Sequence, residues 1–186
     1  METYLDNGAT TYVYPEVAAL VAHVMCEDFG NPSSMHKKGV EAEKYMKSAA
    51  KDIAQILKVE DKNIYFTSGG TESNNWALIG AANANKRAGM HIITTCIEHS
   101  AVSEPMAYLE KQGFEITKVG TDKYGVVNPQ DVIDAMREDT ILVSVMAINN
   151  EVGSIQPVDV LGAMIKKKNP KILMKNLWIN MLVFSC

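Results

Sequence analysis

From residue 64 onward, short apolar, β-favouring runs alternate with longer amphipathic stretches. The runs fall at 64–67, 91–95, 114–119, 141–145 and 171–174, and the helical stretches at 72–86, 100–111, 129–136 and 157–167. Strands separated by helices need crossover connections, so the pattern predicts an α/β fold with a mainly parallel sheet and flanking helices. In such sheets ligands collect beyond the carboxyl ends of the strands. That rule singles out three loops, 68–71, 96–100 and 147–153.

Ahead of the alternation, a helix is expected to start at Pro15, since proline suits a first turn. Its apolar face is Val17, Leu20, Val21 and Val24, and it should stop at the breaker-rich Phe29-Gly30-Asn31-Pro32. A long amphipathic helix follows from about Gly39 to Leu57, with Ala42, Tyr45, Met46, Ala49, Ile53, Ile56 and Leu57 along one side.

The first of the three loops reads Thr67-Ser68-Gly69-Gly70-Thr71-Glu72-Ser73-Asn74-Asn75. A strand that turns through small residues into a helix leaves backbone N–H groups unpaired at the positive end of the helix dipole. A phosphate is the usual guest there, with Thr71 adding a hydroxyl. The same residues also serve as an ordinary helix cap without a ligand. No Lys-Ser or Lys-Thr follows the glycines and G-x-G-x-x-G is absent, so neither common nucleotide loop is present. In the second loop, Ile97-Glu98-His99-Ser100 sets an imidazole just past a strand. It could move protons or stack on a heteroaromatic ring, or simply cap a helix. Asn149-Asn150-Glu151-Val152-Gly153 either orients a polar ligand or forms a turn.

Composition narrows the partners. A formal net charge of −4 over 186 residues and a pI near 5.6 argue against nucleic-acid and anionic-membrane surfaces. No run is apolar enough to span a bilayer and no leader is visible, which points to a cytoplasmic setting. Three scattered cysteines, Cys26, Cys96 and Cys186, suggest neither a disulfide framework nor a metal site. Cys26 and Cys96 read as small buried hydrophobes.

Five segments occur in order: Asp6-Asn7-Gly8-Ala9-Thr10-Thr11, Phe29-Gly30-Asn31-Pro32-Ser33-Ser34, Thr67 to Asn74, Glu98-His99-Ser100-Ala101-Val102, and Asn149 to Gly153. Together they resemble the N-terminal half of the cysteine desulfurases, the NifS/IscS-like class V aminotransferase family. The resemblance runs from about Tyr4 to Leu173. It implies a pyridoxal 5'-phosphate-dependent transferase of the type I fold, normally a homodimer. Such enzymes convert L-cysteine to L-alanine and pass persulfide sulfur to an acceptor or scaffold protein for iron–sulfur cluster or thio-cofactor assembly. A selenocysteine lyase, another class V member or a non-catalytic phosphate-binding α/β module would share this half.

Carried over by position, the resemblance makes Gly70 and Thr71 binders of the cofactor phosphate. His99 becomes the ring-stacking, proton-shuttling residue, and Asn150 a neighbour of the ring. The 1–14 arm would lie near the active-site mouth, where Gly8 replaces the usual Ser or Ala, and 15–173 would form a partial cofactor-binding large domain. The family's Val-Asp-x-x-Gln segment, its Ser-x-His-Lys segment and its loop with the catalytic cysteine have no match here. Residues 174–186 are expected to be an aberrant tail, most simply from a frameshift and early stop or else a genuine variant end, leaving a polypeptide with little or no desulfurase activity. Neither Lys175 nor Cys186 is a credible substitute for the missing groups.

Overall fold

The computed structural model describes residues 3–7, 9–178 and 181–185, with side chains through Lys175. The chain forms two compact units, 1–66 and 67–186. Gly8, Cys186 and the tail side chains expected to cover apolar surface lie outside the described residues.

The first unit is helical. Helix α1, Pro15–Cys26, begins at the expected proline, and α2 spans Lys37–Leu57. Between them the Phe29–Ser34 motif closes on itself. A Cβ on Gly30 would stand 2.1 Å from the Lys38 carbonyl oxygen, and one on Gly39 2.1 Å from that of Ser34. Both glycines are therefore required by close backbone approach. Asp28 ties the two helices, accepting from the Tyr45 hydroxyl at 2.8 Å and lying 3.2 Å from His23 Nε2. The Tyr45 bond is the main reason its carboxyl sits below the usual range. Helix α2 ends at Lys58 in the left-handed conformation, where its N–H returns to the last turn. Of the apolar stripe predicted for α2, Ala42 is buried, while Tyr45, Met46 and Ile56 are exposed.

The second unit carries the sheet. In chain order it contains α3 (Gly70–Asn85), β1 (His91–Thr95), α4 (Ser100–Lys111), β2 (Glu115–Val119), α5 (Pro129–Ala135), β3 (Thr140–Met146), α6 (Val158–Lys168), β4 (Leu173–Trp178) and β5 (Met181–Ser185). The strands run in the order β2-β1-β3-β4-β5. The first four are parallel, and β5 turns back antiparallel against β4. This is the α/β fold read from the sequence.

Both faces of the sheet are covered, which is why its central strands read as continuous apolar runs. Ile92 and Leu142 pack with Leu78, Val102, Met106 and Leu109 from α3 and α4. Ile93, Val143, Val145 and Met174 pack on the opposite face with Val132, Leu161 and Ile165 from α5 and α6.

Two expectations need correction. The segment 64–67 is extended at Ile64, but no strand forms there among the described residues. Its β-branched and aromatic residues favour extension, yet a strand exists only where a neighbour supplies a ladder, and Tyr65 and Phe66 stay exposed. The last strand, expected at 171–174, instead starts at Leu173 and runs to Trp178, past the point where the family resemblance stops.

One polar cluster braces the opposite edge of the sheet. Fully buried His91 bonds the Thr140 hydroxyl through Nδ1 at 2.7 Å and the Thr117 hydroxyl through Nε2 at 2.8 Å. Desolvation, with Arg137 nearby, holds its pKa below the ordinary value of 6.5, against the opposing pull of Asp139 and Glu115. The unfolded chain therefore binds a proton at a pH where folded His91 does not. This contribution to stability is complete above about pH 6.5 and is lost as pH falls toward the folded value. Thermal melts of wild type and His91→Gln at pH 7 and pH 5 should show a smaller pH-dependent drop in the variant.

Candidate functional site

The three loops named above all belong to the second unit; those at 96–100 and 147–153 follow β1 and β3, whereas 68–71 opens α3 with no strand before it among the described residues. In the first, Gly69 is the N-cap of α3 and supplies no side-chain bond. The Glu72 carboxylate turns back to accept from both the backbone N–H and the hydroxyl of Ser68, each at 2.7 Å. Those bonds hold its carboxyl below the usual range. Bonds of this kind fix the turn, and the Gly70 and Thr71 amides, in the first turn of the helix, lack an intrahelical acceptor by position. A Cβ on Gly69 would meet no atom within 4 Å, so open space adjoins the turn.

Helix α4 starts beside it. His99 is the N-cap, and its Nδ1 accepts from the Ala101 N–H at 3.0 Å. The helix-capping reading of this imidazole is therefore correct as far as Nδ1 goes. Accepting there assigns the proton of the neutral ring to Nε2. A cleft of about 350 Å³ runs between the two helices, lined by Thr71, Asn75 and Ile79 of α3 and by Ser100, Glu104 and Tyr108 of α4. Thr71 and the residue following His99 thus share one cavity.

The loop after β3 is hooked to the loop after β1. Asn149 is buried, and its Nδ2 donates to the Ile97 carbonyl at 3.1 Å. Its Oδ1 accepts from the Glu151 and Val152 N–H groups, both at 2.9 Å. For Asn149 the turn reading is the one that fits. Asn150, the residue singled out by position, is exposed and donates to Glu151 Oε1 at 2.7 Å.

The sequence reading missed a buried polar row beneath these loops. Lys175 on β4 is fully buried, with Ser144 of β3 as its register partner. Glu98, the neighbour of His99, accepts at Oε1 from the Thr95 hydroxyl at 2.9 Å and from the Met146 N–H at 2.8 Å. Burial lowers the Lys175 ammonium to about 8, and Glu98 partly offsets this; burial raises the Glu98 carboxyl, and Lys175 opposes that rise. Only the Glu98-His99 pairing in the sequence hinted at this role. The cysteines also differ from expectation. Cys26 closes α1, a helix with no buried residue, and Cys96 sits in the turn just past β1, so both are exposed.

Taken together, these features define an open α/β protein with a strand-end site built from two helix starts and an imidazole. Residues 3–174 match the aminotransferase class-V family, and the chain belongs to it. It is 49% identical over 164 residues to the cysteine desulfurase IscS of Methanosarcina thermophila, covering 88% of this chain and 41% of that protein. With the cysteine desulfurase IscS of Dictyoglomus turgidum the identity is 46% over 166 residues, covering 89% and 42%. Among solved structures, a NifS-like protein superposes with a TM-score of 0.91 at 43% identity, over 95% of this chain and 48% of that one. SspA in complex with cysteine gives 0.88 at 31% identity, over 94% and 50%. The chain therefore spans about two fifths of the length of the curated relatives it matches. The type I fold implied by the family resemblance is the one these NifS-like structures share with it.

Asn149→Ala removes the hook to Ile97 and strands two turn amides, so it should cost about 1–3 kcal/mol in urea unfolding. Asn150→Ala, at an exposed side chain, should stay within about 0.5 kcal/mol.

Proposed function

We propose that this chain is the N-terminal part of a cysteine desulfurase and that its strand-end site receives pyridoxal 5'-phosphate. The observation that carries the proposal is the start of α3. As first-turn amides, those of Gly70 and Thr71 lack an intrahelical acceptor, and Thr71 lines the cleft shared with α4. The donor set suits a phosphate, because backbone N–H groups, a hydroxyl and a helix dipole all favour an anion. Glu72, the carboxylate of that first turn, is engaged by Ser68.

When bound, the cofactor supplies an electron sink for chemistry at an amino acid. The chain's own residues bind and orient it. Gly70 and Thr71 hold the phosphate, and His99 presents its ring face and an Nε2–H. Asn150 offers an amide next to the ring. The intact protein, on this reading, is a cytoplasmic homodimer that takes sulfur from L-cysteine, releases L-alanine and hands the sulfur to an acceptor protein for iron–sulfur assembly. The names of the relatives and the match over 3–174 support it.

Titrating the 186-residue protein with pyridoxal phosphate, followed by quenching of intrinsic fluorescence, tests the cofactor assignment. Thr71→Val should weaken binding roughly tenfold or more, the effect of losing one hydrogen bond to a charged group. Equal affinity in wild type and variant would remove the basis of the assignment. The same polypeptide should release no alanine from cysteine above background, because no residue in it matches the family's lysine-bearing and cysteine-bearing segments. Turnover close to that of a full-length relative would overturn that part.

A further inference from the structure

The Glu98 side chain is not accounted for by the cofactor assignment. It is a carboxylate held out of water, next in sequence to the imidazole, and it spends one oxygen on two bonds. Oε1 accepts from Thr95, the last residue of β1, and from the N–H of Met146, the last residue of β3 and 48 positions away. The other oxygen, Oε2, is buried without a hydrogen-bond partner among the described residues. So are Thr94 Oγ1 on β1, Ser144 Oγ on β3 and Lys175 Nζ on β4. Ser144 and Lys175 stand opposite each other in the β3–β4 register. Burial raises the Glu98 carboxyl, and the charge of Lys175 opposes that rise.

We infer that Glu98 is the positioning residue of the site, a clamp that registers the His99 loop against the end of β3 so that the imidazole keeps one placement and one tautomer. The inference rests on the pyridoxal phosphate reading for its purpose, though the clamp itself does not. Two groups anchor the loop to β3 and its following turn: Glu98 at Met146 and Asn149 at Ile97. Glu98 is the one adjacent to His99. Releasing it frees the residue whose Nδ1 caps Ala101. Glutamate suits the task because its carboxylate reaches back three residues to Thr95 and across to β3 at once. Glutamine keeps an acceptor oxygen at the same reach, and alanine keeps none.

Amide hydrogen exchange in the cofactor-free protein separates a clamp for His99 from a mere brace for β3. Glu98→Ala should speed exchange at both Met146 and Ala101 by about tenfold or more, the loss expected for one hydrogen bond to a charged acceptor. Nitrogen shifts of the His99 ring should then report a mixture of tautomers, and pyridoxal phosphate affinity should fall about tenfold. Glu98→Gln should hold both amides within about threefold of wild type. If Met146 is released while Ala101 and the His99 tautomer stay as in wild type, Glu98 braces the strand only and the inference is overturned. Should Glu98→Ala fail to fold, Thr95→Val removes one of the two donors to the same oxygen. It should raise Ala101 exchange about threefold, and an unchanged rate would be equally decisive against the clamp. Failure of the wild type to bind pyridoxal phosphate would sink the functional reading while leaving the exchange result standing.

Discussion

The parallel pairing of β1 with β3 determines where all the chemistry can be. Ile92 lies against Leu142 and Ile93 against Val143, so the two central strands point the same way and finish at the same edge. The chain leaves β1 at Thr95 and β3 at Met146 as neighbours, and the loops that follow start side by side. Antiparallel pairing would have sent those loops to opposite edges. Crossovers through helices make the parallel arrangement possible, and the helices cover both faces in return. Helix α3 and helix α4 then begin at that same edge, which brings two dipole ends to one cleft.

A buried polar row lies just beneath that edge, in what is otherwise an apolar sheet. Taking an ion out of water costs several kcal/mol even after relaxation. Burying one Leu, Ile or Val side chain gains about 1.5–3 kcal/mol. The layer holding Lys175 and Glu98 can exist only because Ile92, Leu142, Leu78, Val102, Met106 and Leu109 close the face below it. The stability of that core and the polarity of the strand ends are thus two sides of one arrangement. At the far edge, His91 meets the same constraint differently, by remaining neutral between two hydroxyls.

Much of this was legible in the residues. Proline at the start of α1 and α5, and the alternation of apolar runs, gave element order and type, and the 100–111 helix agrees to the residue. Periodicity and propensity report conformation, however, and not pairing. The 64–67 run is extended as its β-branched and aromatic residues require, but no ladder forms on it, because pairing depends on what lies alongside. Residues past 174, where the family match ends, still extend β4 and build β5, since strand formation asks only for a suitable edge and an apolar run. The site was half visible. The loops after β1 and β3 followed from the strand-end rule, the one at 68–71 did not, and the work of Asn149 and Glu98 depends on contacts about 50 residues away along the chain. A buried lysine is invisible to pattern reading, which assigns lysine to the surface.

The cap at the start of α4 has a consequence for how the imidazole can behave. One nitrogen of His99 is already committed as an acceptor to the backbone of its own helix. The ring can donate one hydrogen bond outward from its Nε2–H while the other nitrogen keeps the cap. To carry two hydrogens at once, it would have to let go of the helix it starts. Secondary structure thereby makes this histidine a one-handed partner, a donor on its outward side and an acceptor to its own helix on the other.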